Sequence, residues 1–248
     1  MKHRGKGIYL LPNLFTTAAL FAGFYSIIAA FNASYSNASI AILIAMVLDG
    51  FDGRVARMTN TTSEFGAEYD SMSDMVSFGV APAFLVYAWS LSSMSIVNYG
   101  YLGWVSAFFY TACCGLRLAR FNVQVGKADK RFFQGLACPS AAALIACIVW
   151  VLHDIGVPGK EIVFLSFFIT LFAGLLMVSN FTYYSFKEIR APKRVPFMAA
   201  LVLVLAVVFI SFDPPKVLLL GFAVYALSGP LYTGFRWVRK RNRRPSVK

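Results

Sequence analysis

Charge is what this chain has least of. Only 14% of its 248 residues are charged, against 58% hydrophobic, and the mean hydropathy is +0.66. A soluble domain carries about a quarter charged residues, so an ordinary water-facing surface is excluded for most of the chain. Histidine is scarcer still: His3 and His153 stand far apart with no partner motif, which argues against a histidine-ligated zinc site. The four cysteines, Cys113, Cys114, Cys138 and Cys147, lack metal-ligand spacing and sit in or beside apolar stretches. They are expected to be small buried hydrophobes. There is no internal repeat, no low-complexity linker and no basic and aromatic interleaving of the kind that marks a nucleic-acid surface.

What the chain does have is long apolar runs. Eight can be counted, near Leu14–Phe31, Ala38–Leu48 (extending to about Met58), Met75–Leu91, Tyr99–Leu116, Leu136–Leu152, Ile162–Met177, Val195–Phe212 and Val217–Phe235. Runs of this length, separated by short charged segments, predict membrane-spanning helices. The first follows a basic start without a convincing small-residue cleavage site, so a retained span is expected rather than a signal peptide. The expected fold is therefore all-α: a polytopic transmembrane bundle of about eight spans, forming one domain over residues 1–248.

The net charge of +12 is distributed unevenly. With eight spans, 21 of the 23 Lys and Arg residues fall on the side shared by both termini, leaving only Lys160 and Lys216 opposite. This asymmetry predicts cytoplasmic termini. The basic run 236–248 reads as a cytoplasmic stop signal that also attracts anionic lipid headgroups. Trp89, Trp104, Trp150 and Trp237 lie near span ends, where an aromatic belt accounts for them.

Acidic residues are concentrated in one place. Of eleven, six lie between positions 49 and 74: Asp49, Asp52, Glu64, Glu68, Asp70 and Asp74. Asp49 and Asp52 are spaced i, i+3 and Asp70 and Asp74 i, i+4, so each pair projects from one helix face. The first pair ends an inward-running helix and the second begins the returning one, with a polar turn at 60–63 between them. Four carboxylates converging there repel one another, and Arg54 and Arg57 cannot balance all four and also serve a substrate. A hard divalent cation can, which predicts Mg²⁺ or Mn²⁺, and two ions are plausible.

The spacing Asp49, Asp52, Gly53, Ala56, Arg57, Gly66, Asp70, Asp74 fits the pattern D-x2-D-G-x2-A-R-x8-G-x3-D-x3-D across 26 residues. It resembles the signature of the CDP-alcohol phosphatidyltransferase family. The resemblance implies that Asp49, Asp52 and Asp70 bind metal and that Asp74 is both a metal ligand and the catalytic base. It also implies CDP-diacylglycerol contacts at Gly53, Arg57, Ser63 and the 13–16 stretch, including Asn13 and Thr16. A homodimer with the active site facing the cytoplasm is implied as well.

Three further blocks look like the serine-using branch of that family. They are L-R-L-A-R-F-N at Leu116–Asn122, F-Q-G-L-A-C-P-S-A-A-A at Phe133–Ala143 (with Ala137 where proline is usual) and M-V-S-N at Met177–Asn180. L-serine is the expected acceptor; glycerol 3-phosphate, inositol phosphate and choline are alternatives within the same chemistry. A serine pocket must pair a carboxylate, and either Arg117 or Arg120 can do so, with Asn122, Gly135, Pro139 and Ser140 shaping the pocket. A rival class, the ion-coupled transporter with an aspartate cation site, predicts an internal symmetry that the sequence does not have.

Overall fold

The computed structural model describes residues 10–59, 63–97, 100–124, 132–184 and 197–242. Each of the eight apolar runs is built around a helix. In chain order these are α1 (Leu10–Phe31), α2 (Tyr35–Thr59), α3 (Glu64–Asp74) continuing through a π-helical segment (Met75–Val80) into α4 (Ala81–Trp89), α5 (Gly100–Gln124), α6 (Cys138–Asp154), α7 (Val163–Val178), α8 (Phe197–Phe212) and α9 (Pro214–Asn242). Among the described residues, five helical stretches are long and apolar enough to cross a membrane: Asn13–Phe31, Glu64–Trp89, Tyr101–Val123, Gly159–Val178 and Pro214–Gly234. The chain is thus an all-α, multi-pass membrane protein in its coarse design. The helix of the second apolar run does continue past Asp49 and Asp52, as its pattern through Met58 predicts.

α6 occupies the centre. Cys138, Ala141 to Cys147 and Val149 are all buried, so this helix is covered on nearly every side. A helix that is apolar all round belongs in a core, and its run of Ala and Cys lets neighbouring backbones come close. All four cysteines are free and buried.

The third helix departs from regular α-geometry beside a proline. Pro82 has no N–H to offer the carbonyl of Phe78, one turn earlier. The gap is closed from α5: Tyr110 Oη donates to Phe78 O at 3.0 Å and Thr111 Oγ1 to Gly79 O at 3.3 Å. The π segment lies immediately before this point. α1 packs tightly against it. A Cβ on Gly23 would fall 2.7 Å from Ser77 Cα, so only glycine allows this approach. Ser73 and Ser77, one turn apart, donate to the α1 carbonyls of Thr16 and Ala19 at 3.1 Å each.

One small departure from an all-helical chain is a two-stranded antiparallel ribbon, β1 (Phe132–Gln134) with β2 (Thr182–Tyr184). It joins the loops before α6 and after α7. α9 seals it, with Tyr183 Oη donating to Ala226 O at 2.9 Å. Trp89 corrects the aromatic-belt reading: it is 7% exposed and part of the core, whereas Trp104 is 55% exposed.

Candidate active site

Two helices build the acidic centre, α2 within its last three turns and α3 in its second half. Ser63 starts α3 as its N-cap, accepting from Gly66 N at 3.0 Å, which satisfies one of the donors a helix start leaves open. Asp70 and Asp74 follow on one face of α3, opposite Asp49 and Asp52 of α2. Carboxylate oxygens of Asp49, Asp70 and Asp74 lie within 4.8 Å of one another, all three half-buried. Asp52 joins through Asp70, whose carboxyl group is within hydrogen-bonding reach of its own.

Asp52 is the most enclosed of the four, at 6% exposed. It accepts from Thr16 Oγ1 of α1 at 2.8 Å and from its neighbour's backbone N–H at Gly53. Full charges about 4 Å apart repel by about 4 kcal/mol at an effective dielectric near 20. A hard cation offsets this repulsion, and the donor set fits one. The donors are all oxygen, and groups spread over 4.8 Å can close around an ion that takes ligands at about 2.0–2.1 Å. Space for a ligand lies alongside: a Cβ on Gly50 or Gly53 would meet no described atom within 4 Å. These glycines are not helix-packing contacts in the described structure.

The other expected contacts are arranged around this centre. Asn13 comes to the foot of α3, its Oδ1 3.6 Å from where a Gly66 Cβ would stand and beside Ser63. Arg57 lies in α2 with its side chain outside the described residues. The two candidate acceptor arginines have different surroundings. Arg120 is engaged by the ribbon and its flank: it donates to Gln134 Oε1, to Asn180 Oδ1 at 2.8 Å and to Val178 O at 3.4 Å. Arg117 donates to Cys138 Sγ at 3.5 Å, while its Nε is buried with no hydrogen-bond partner among the described residues.

Asn122 Nδ2 donates to Ser71 Oγ at 3.0 Å, docking α5 beside Asp70. Gly135 has a structural task. Its φ is +80°, a Cβ would fall 2.2 Å from Met177 O, and its N–H donates to Phe181 O at 2.9 Å. Pro139 sits in the first turn of α6, where a missing N–H costs nothing, and half-buried Ser140 follows it. The sequence did not signal the supporting hydroxyls, such as the pair Thr17 Oγ1 and Tyr69 Oη at 2.9 Å. Serines recurring one turn apart at 73 and 77, where the helix passes from its acidic start into the apolar run, were the available sign.

Comparison with known proteins adds to this geometry. The family model for CDP-alcohol phosphatidyltransferase matches residues 9–181. The chain belongs to the CDP-alcohol phosphatidyltransferase family. It is 35% identical, over 93% of its own length and 92% of the relative's, to a CDP-diacylglycerol–serine O-phosphatidyltransferase of Helicobacter pylori strain J99. A protein of the same name from Methanocaldococcus jannaschii is 33% identical over 78% of this chain and 82% of that one. One from Saccharomyces cerevisiae is 39% identical over 50% of this chain and 48% of the relative. The match to the family takes in the whole acidic centre, the three blocks resembling the serine branch up to Phe181, and α1 to α7. It ends before α8 and α9.

Proposed function

We propose that this protein transfers the phosphatidyl group of CDP-diacylglycerol to the hydroxyl of L-serine, releasing CMP, at a cytoplasm-facing site formed by Asp49, Asp52, Asp70 and Asp74. The observation that carries it is the meeting of Asp49, Asp70 and Asp74 within 4.8 Å in a chain whose relatives bear the name of that activity. One membrane domain of eight spans, a homodimer and a lipid environment that includes anionic headgroups complete the proposal.

Asp49, Asp52, Asp70 and Asp74 would hold one or two Mg²⁺ or Mn²⁺ ions. Bound there, such ions screen the pyrophosphate and stabilise charge on the departing CMP. Asp74 accepts the proton of the serine hydroxyl as its oxygen bonds to the phosphorus carrying the lipid. The bond from that phosphorus to the bridging oxygen breaks, and CMP takes the electron pair. Arg57 suits the pyrophosphate as a planar, permanently charged donor, with Asn13, Gly53 and Ser63 lining the same approach. Arg117 pairs the serine carboxylate; its buried, unengaged Nε supports this choice over Arg120.

The test is an assay of purified protein with CDP-diacylglycerol and a panel of acceptors, with and without chelator. Serine is expected to give a lipid with a free amine plus CMP, abolished by chelation. Asp74→Asn should remain inserted and lose turnover. Incorporation of glycerol 3-phosphate, inositol phosphate or choline in place of serine would overturn the acceptor. Full activity after rigorous metal removal would overturn the mechanism.

A further inference from the structure

Asp52 is an unusual ligand candidate because protein, not solvent, surrounds it. It is 6% exposed and Thr16 is 3% exposed, and the hydrogen bond joining them, at 2.8 Å, links α1 to α2 at the depth of the acidic centre. A buried carboxylate is costly unless it is paired or accepts hydrogen bonds. A bond to the ionised form is short and strong, roughly twice a neutral one. Thr16 is itself held in place. Ser73 Oγ, one residue from Asp74, donates to Thr16 O at 3.1 Å. Its neighbour Thr17 bonds one turn back along its own helix, to Asn13 O at 2.7 Å, and meets Tyr69 Oη next to Asp70. α1 thus bonds directly to Asp52 in one row and, through hydroxyl groups, to Tyr69 and Ser73, the chain neighbours of Asp70 and Asp74, in the other.

We infer that Thr16 is a positioning residue for the metal centre, fixing the rotamer of Asp52 through its hydroxyl, rather than a direct contact to the CDP-lipid. Partners that orient a ligand are worth about 10- to 100-fold in metal affinity when lost. The inference rests on the metal-dependent reading above, and its test keeps the two apart.

Mn²⁺ binding to the purified full-length protein in detergent is measured directly by electron paramagnetic resonance, for wild type, Thr16→Val and Thr16→Ser. Thr16→Val, nearly the same shape without a donor, is expected to weaken Mn²⁺ binding about 10- to 100-fold. Thr16→Ser keeps the donor and should bind as wild type does. At saturating Mn²⁺ the KM for CDP-diacylglycerol of Thr16→Val should match wild type. In an Asp52→Asn background, Thr16→Val should cost little more. Unchanged Mn²⁺ binding with a raised KM for CDP-diacylglycerol would overturn the inference and make Thr16 a lipid-nucleotide contact. Additive losses in the double variant would overturn it too. A wild type that binds no Mn²⁺ would remove the metal reading and this inference together. Thr16→Ala, read the same way, serves if the valine variant does not fold.

Discussion

Arg117 and Arg120 are three residues apart on one helix, carry the same charge, and have different surroundings. Arg120 holds together three pieces of chain: β1 through Gln134, the end of α7 through Val178 O, and Asn180 beyond it. Arg117 points toward Cys138 at the start of α6, and Cys138 is within electrostatic range of Asp74. Removing Arg120 should therefore loosen the ribbon, and removing Arg117 should weaken acceptor binding. Arg117→Ala is expected to raise the KM for serine by about 10- to 100-fold, the loss of a charge-assisted bond worth about 1.5–3 kcal/mol, with the KM for CDP-diacylglycerol unchanged. Arg120→Ala should instead lower the unfolding temperature in detergent. Steady-state kinetics against each substrate, paired with thermal unfolding, separates the two, and a serine KM that moves only with Arg120 would reverse the assignment.

At the scale of elements, the third helix shows where sequence reading succeeds and where it stops. The apolar run, the polar turn before it and the start at Glu64 are all legible, because periodicity and capping are local. Pro82 is visible too, and so is the hydrogen bond it removes. The repair is not: Tyr110 lies 32 residues from Phe78, and nothing in the spacing says that its hydroxyl ends at that carbonyl. The same holds for Gln134 and Asn180, which read as blocks of a family pattern but whose common partner, Arg120, emerges only when the chain is folded. The four aspartates were legible because helical spacing alone puts each pair on one face. The Pro82 argument can be tested. Tyr110→Phe leaves a buried carbonyl short of a donor and should cost about 1–3 kcal/mol. In a Pro82→Ala background the restored N–H should shrink that penalty. A double-mutant cycle by unfolding in detergent measures the coupling, and purely additive losses would mean the hydroxyl does not serve that carbonyl.

For the whole molecule the deciding question is which end of the bundle faces the cytoplasm. The acidic centre lies toward the end of the bundle where the chain turns from α2 into α3. A cleft of about 500 Å³ lined by Tyr35, Trp89, His153, Pro158 and Lys160 lies where α2 begins and α4 ends, away from the aspartates. The proposed eight crossings make a claim about these ends: they would leave Lys160 and Lys216 as the only Lys and Arg residues on the side of the cleft, the side away from the cytoplasm. Because the four native cysteines are free and buried, a membrane-impermeant maleimide has little to label in the unmodified protein. Lys160→Cys should react in intact cells, since Lys160 is exposed at that end. Ser246→Cys, in the basic tail, should react only after permeabilisation. The carboxylates and the tail share a side only if an even number of crossings separates them, and from α3 onward the eight-span arrangement supplies six. Labelling of both positions from outside would break that parity, and the site proposed for CDP-diacylglycerol would then have to be re-derived from a different number of spans.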